Sequence, residues 1–381
     1  MTHSCTPDNS ILVFPLFFFL PVSTFIELWG GPKGTGMFRL LEKETGIKIG
    51  ISEKTLRKYL VPPVTKEPSN SVKTKLERWT HHPGQPGFLK QYFSDIESLT
   101  ASRTGELEWN ALIHSFKVGA AGRVYPKTLE YIERLLDEES DYYHKAKRQR
   151  QNLREFFKTV YTEPFFTRYG LPVSESLLTE AIEQDPEQLA SHLSKQPDLI
   201  QSHLHACISL QMDILAHAEV EWFEDNLDQI PKKNHFQSRL LFILPKLEGD
   251  EEISPITLFF RMVRNHLGFS SWRAMAEHME MEGESDIESR LRKLMGWVNV
   301  EQHPKHESVF GFLQRLVETK GDYISLYYDN LYLAASFMDG LLELFKSEVD
   351  RTKMSASKLL QAFSSYNEHF KRHKTAVIKG G

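Results

Sequence analysis

The sequence predicts an all-α protein: an N-terminal pair of short helices on a glycine turn, followed by a multi-helix bundle. Three observations carry this. Apolar residues recur at helical spacing along most of the 381 residues, and alternating Val/Ile/Thr runs are scarce. Residues 36–60, GTGMFRLLEKETGIKIGISEKTLRKYL, read as two helices broken at a glycine. A mostly apolar helix at 322–349 is expected to be buried within its own domain, an oligomer interface being the other reading.

Composition narrows the class. Apolar residues are 40% and charged residues 25%, ordinary globular values. The net charge of −5 means that any nucleic-acid contact must use a local basic face. Cys5 and Cys207 are the only cysteines, which excludes a disulfide scaffold or a four-cysteine zinc site and suits a reducing, cytoplasmic setting.

Residues 1–22 form an apolar arm. Asn9 to Ile26 carries no charge, yet no Lys or Arg precedes it, and Pro15 and Pro21 interrupt it. Those features argue against a signal peptide or a membrane span. The arm is expected to pack on the first domain; translation beginning near Met37 is the other reading.

Residues 23–80 are the first module. Met37–Thr45 is a helix with Phe38, Leu40 and Leu41 on its apolar side. Gly46 suits its C-terminus, where a positive φ is cheap without a Cβ. Ser52 is the N-cap candidate of the second helix, which runs to Leu60 before Pro62 and Pro63. Lys33 to Thr80 holds 11 basic and 5 acidic residues, 11 − 5 = +6. A short helix, a glycine turn and a short basic helix is a pattern that lays a helix into a DNA major groove.

On Leu40, Leu41, Gly46, Ile51, Ser52, Thr55, Leu56 and Tyr59, segment 23–80 resembles the Cro/C1-repressor-like helix-turn-helix class. The resemblance implies that Ser52, Glu53, Lys54, Arg57 and Lys58 face DNA, with Thr55 able to hold phosphate, while Ile51, Leu56 and Leu60 pack inward. The GIKIG turn is longer than that class usually has. A fainter second copy spans 255–318, where Trp297-Val298-Asn299 and Pro304 resemble the recognition-helix exit. There Ser271 to Lys320 carries 7 basic and 9 acidic residues, 7 − 9 = −2, which opposes phosphate binding and favours packing or dimerisation.

Residues 81–170 read as helical elaboration, with short helices at 89–99, 106–117 and 126–137 and a longer one over 138–160. Its basic stretch offers Lys145, Lys147, Arg148 and Arg150 as backbone contacts. Residues 171–381 form the helical bundle, including an apolar-periodic helix from about 198 to 230 and another at 236–246.

Catalytic and metal chemistry find little support. His203, Cys207, Asp213, His217 and Glu221 make i, i+4 pairs on one helix, but no second helix offers a matching pair. Packing histidines are the better reading. GGPKGTG at 30–36 lacks the Gly-Lys-Ser/Thr ending of a P-loop. No catalytic residue, metal or cofactor is therefore assigned. The expected function is that of a DNA-binding regulator, not an enzyme. It would use helix 51–60, with the C-terminal bundle serving oligomerisation or partner binding and no membrane partner. The alternatives are a helical scaffold without DNA and, third, an enzyme with an unfamiliar helical site.

Overall fold

The computed structural model describes residues 18–20, 22–29, 42, 46–52, 55, 69–80, 82–83, 109, 113, 125–149, 153–176, 179, 196–229, 236–279, 286–302, 304, 306–320, 325–352 and 356–380. These are mostly helical, with one two-stranded sheet among them. Apart from Glu42, Ser52, Thr55, Trp109 and Ile113, the expected helices Met37–Thr45 and 52–60 and segments 89–99 and 106–117 lie outside the described residues. The chain forms two compact units: residues 1–27 with 31–222, and residues 28–30 with 223–381.

In the first unit the helices are α1 (Val22–Leu28), α2 (Asn70–Thr80), α3 (Pro126–Arg148), α4 (Leu153–Thr162), α5 (Pro164–Tyr169) and most of α6 (Pro197–Asp225). α3 is one helix where the sequence suggested a join at 137/138. Its buried stripe, from Leu129 and Ile132 through Leu135, Leu136 and Tyr142 to Ala146, continues at helical spacing across the acidic run. Asp137 and Asp141 stay on the exposed side. The expected helix over 138–160 falls instead into two elements, α3 ending at Arg148 and α4 beginning at Leu153.

Phe18 is the hub of this core. It has no exposed surface and meets the rings of Tyr142, Phe165, Phe166 and His203 at 5.3–5.8 Å. Its backbone is secured as well. Phe18 N–H and Phe19 N–H donate to Glu139 Oε1 at 2.6 and 3.1 Å, and Trp109 Nε1–H donates to the Leu20 carbonyl at 2.9 Å. The described end of the apolar arm is thus an interior strap. Among the described residues no helix is long and apolar enough to cross a membrane.

In the second unit a 3₁₀ turn at Leu240–Phe242 leads into β1 (Lys246–Glu248) and its antiparallel partner β2 (Glu251–Ile253). The apolar run 236–246 is therefore not the helix its composition suggested. Pro245 has no N–H to continue a helix, and Gly249, at φ +68°, makes the two-residue turn. Then follow α7 (Pro255–His266), α8 (Trp272–Ala276), α9 (Ile287–Val298) and α10 (His306–Lys320). Ser254, Ser271 and Asp286 cap the first three through bonds to the N–H groups of Thr257, Ala274 and Ser289.

α11 (Ser325–Thr352) is the axis of this unit, and α12 (Ala356–Ser364) and α13 (Tyr366–Gly380) complete it. α11 packs on α7, α10 and α12, and Tyr328, Leu331, Tyr332, Phe337, Met338, Leu341, Leu342 and Phe345 are all buried. Trp29 stacks on Phe337 at 4.8 Å, and Gly340 lets Leu28 approach to where a Cβ would lie within 2.7 Å of it. The apolar girth of α11 is enclosed within the unit.

Phe337→Ala should leave a cavity and cost on the order of 3–5 kcal/mol. Denaturant melts and light scattering on this variant check it: a destabilised protein of unchanged mass is expected. A fully stable monomer released from a wild-type oligomer would place Phe337 at an interface instead.

Candidate nucleic-acid interface

The segment 46–50 is built around two left-handed glycines. Gly46 has φ +69° and Gly50 has φ +67°. An added Cβ would meet nothing within 4 Å at either, so the demand is on backbone conformation alone. Gly46 takes the conformation expected of it from the sequence. Gly50 was not singled out there, and it explains how the long GIKIG turn closes: the additional residues bury Ile49 and return the chain to Ile51, also buried.

Three side chains hold this turn. Trp79 Nε1–H donates to the Ile47 carbonyl at 2.7 Å, and Lys75 Nζ donates to the Gly50 carbonyl at 3.1 Å. Both come from α2, which buries Val72 and Trp79 seven residues apart and exposes Thr74, Lys75, Glu77 and Arg78. The third is Glu42, whose Oε1 accepts from Ile49 N–H at 2.6 Å.

Ser52 then behaves as an N-cap. Thr55 N–H donates to Ser52 Oγ at 3.3 Å and lies 3.0 Å from the Ser52 carbonyl, and the two hydroxyls are 2.8 Å apart. Ser52 is exposed and Thr55 half-buried. Lys54, Arg57 and Lys58, with Leu56 and Leu60, lie outside the described residues. On the basic stretch, Lys145 is exposed and pairs with Glu163 at 3.0 Å, and Arg148 is exposed. The side chains of Lys147 and Arg150 lie outside the described set.

In the second segment, cations are engaged by the chain itself. Arg290 donates to the Glu277 carbonyl at 3.1 Å, Arg273 pairs with Glu288, and Lys293 lies 5.5 Å over the Trp297 ring. Trp297 is buried edge-on to Phe312, and the Val298 carbonyl accepts from Thr257 Oγ1 at 2.6 Å.

The i, i+4 series on α6 forms a buried polar seam against α3 and α5. Asp213 accepts from the hydroxyls of Tyr131 and Tyr169, both at 2.7 Å. His217 stacks on Tyr131 at 4.4 Å, with Nδ1 3.0 Å from Thr128 Oγ1. Glu221 accepts from Lys127 N–H, Thr128 N–H and Thr128 Oγ1–H at 2.8, 2.7 and 2.6 Å. Since Pro126 opens α3, Glu221 caps that helix from another element, where orphan N–H groups and the dipole favour an anion.

Burial lowers the His203 pKa to about 4 and pushes the Cys207 thiol well up. Burial, then the neighbouring Asp213, raises the Tyr169 hydroxyl. These groups are held in their neutral forms and spend their hydrogen bonds on packing. Among the described residues no group of three His, Cys, Asp or Glu side chains is arranged to hold a metal ion.

Comparison with known proteins found no matching family model, no matching curated protein and no matching solved structure.

His203 gives a pH signature. In the unfolded chain it takes up a proton below its ordinary value of 6.5, whereas in the folded chain it stays neutral to about 4. The unfolded state therefore binds more protons across that window, so stability falls as pH drops from 6.5 to 4, by about 3 kcal/mol. Urea melts of wild type and His203→Gln across this range should show a shallower loss in the variant; identical slopes would contradict it.

Proposed function

We propose that the chain is a DNA-binding regulatory protein of the Cro/C1-repressor-like helix-turn-helix kind, with residues 51–60 entering a major groove. The observation that supports this best is the turn: left-handed Gly46 and Gly50, buried Ile49 and Ile51, and a cap at Ser52. In this reading the cap at Ser52 marks where the recognition helix begins. The +6 balance of residues 33–80 gives that helix an electrostatic reason to meet phosphate.

In this reading Lys54, Arg57 and Lys58 contact phosphates or guanine edges, and Ser52 and Thr55 hold phosphate through the helix start. Lys145, Lys147, Arg148 and Arg150 add backbone contacts, Lys145 by exchanging Glu163 for phosphate. Residues 223–381 provide oligomerisation or partner binding. The setting is cytoplasmic, with no cofactor.

A second reading, a helical scaffold that binds protein without DNA, draws on the exposed Leu241, Phe242 and Leu247. Binding of the full chain to random duplex DNA as a function of salt separates the two. Replacing Lys54, Arg57 and Lys58 together by Ala should weaken binding and flatten the log K against log salt slope by up to about 2.7. Equal slopes would refute contact through 51–60. No DNA retention by wild type at low salt would favour the scaffold.

A further inference from the structure

All four large apolar side chains that stand exposed among the described residues belong to the second unit, and they fall into two patches of opposite charge. The first is Leu241 and Phe242 on the 3₁₀ turn with Leu247 on β1; Phe242 is 61% exposed. It adjoins the hairpin Lys246 to Glu252, which carries one basic and four acidic residues, 1 − 4 = −3. Glu248 pairs with Lys246 and Arg261, and Glu252 pairs with Lys346. Asp250 and Glu251, at the hairpin tip, are exposed.

The second patch is Ile378, 60% exposed on the last turns of α13. α13 is anchored by buried Tyr366, His369 and Phe370. Beyond them it presents Lys371, one helical repeat before Ile378 and on the same face, with Lys379 next to it; both lysines are exposed. Residues 366–380 hold four basic residues and one acidic, 4 − 1 = +3.

We infer that α13 of one copy docks on the 241–252 patch of a second copy, Ile378 against Phe242 and its neighbours, Lys371 and Lys379 beside Asp250 and Glu251. Both patches are exposed in one and the same chain, each on an ordered element, so neither covers the other within that chain. A single large apolar side chain in a cationic setting matches an apolar patch in an anionic one. Opposite charges beside the exposed apolar side chains set partner and register. This goes beyond DNA recognition and does not depend on it.

Charge exchange tests it on the full-length chain. One variant carries Asp250→Lys and Glu251→Lys; the other carries Lys371→Glu and Lys379→Glu. Sedimentation velocity is run up to about 100 μM, a range in which a small, partly polar interface assembles. Wild type should self-associate, more weakly at high salt. Each variant alone brings like charges together and should remain monomeric. An equimolar mixture restores opposite charges in both docking directions and should associate again. Circular dichroism melts confirm that each variant is folded; should one unfold, Phe242→Ser and Ile378→Ser take its place and must each reduce the mass. A monomeric wild type, self-association undiminished in the variants, or no recovery on mixing would overturn the proposal.

Discussion

The first unit depends on keeping carboxylates inside a core. Asp213, Glu221 and Glu139 are all buried, and a buried carboxylate is costly unless its oxygens are hydrogen-bonded. Each is supplied by a different part of the chain: Asp213 by Tyr131 and Tyr169, Glu221 by the opening turn of α3, Glu139 by the backbone of the Phe18 strap. The bonds are specific in direction and length, so they fix register between elements that apolar packing alone would leave free to slide. α3 takes part in all three, which makes it the element to which α5, α6 and the strap are referred.

The glycine turn works by a related economy at the surface. Gly46 and Gly50 take conformations other residues rarely adopt, and Trp79 and Lys75 donate to the Ile47 carbonyl between them and to the Gly50 carbonyl. Both side chains come from α2, a helix whose exposed residues Thr74, Lys75, Glu77 and Arg78 are polar and partly basic. On α6, by contrast, Asp213 and Glu221 accept from hydroxyls and N–H groups of α3 and α5 inside the core.

Much of the all-helical fold was legible in the sequence because periodic burial leaves a plain trace, as in α11 and the run from α7 to α10. Gly46 and Ser52 were legible because their roles are local: a positive φ and a cap need only neighbours along the chain. Gly50 and Trp79 escaped notice, since their contribution appears only when α2 lies against the turn. The acidic run in α3 looked like a boundary because spacing does not tell a buried Glu139 from an exposed Asp137. LLFIL before Pro245 illustrates the ambiguity of a short apolar run, which helix, strand and 3₁₀ turn can all accommodate. The i, i+4 spacing of Asp213, His217 and Glu221 was visible, but their partners Tyr131, Tyr169 and Thr128 lie far away in sequence and are joined by tertiary packing.

The recognition reading rests on residue 57 standing next to DNA when the full chain binds it. The most direct measurement places a photoreactive amino acid at Arg57 in the full-length protein, with the same substitution at Leu247 as control, and irradiates each with duplex DNA. Covalent attachment from position 57 and none from position 247 is expected. Attachment from neither, or equally from both, would contradict recognition through helix 51–60.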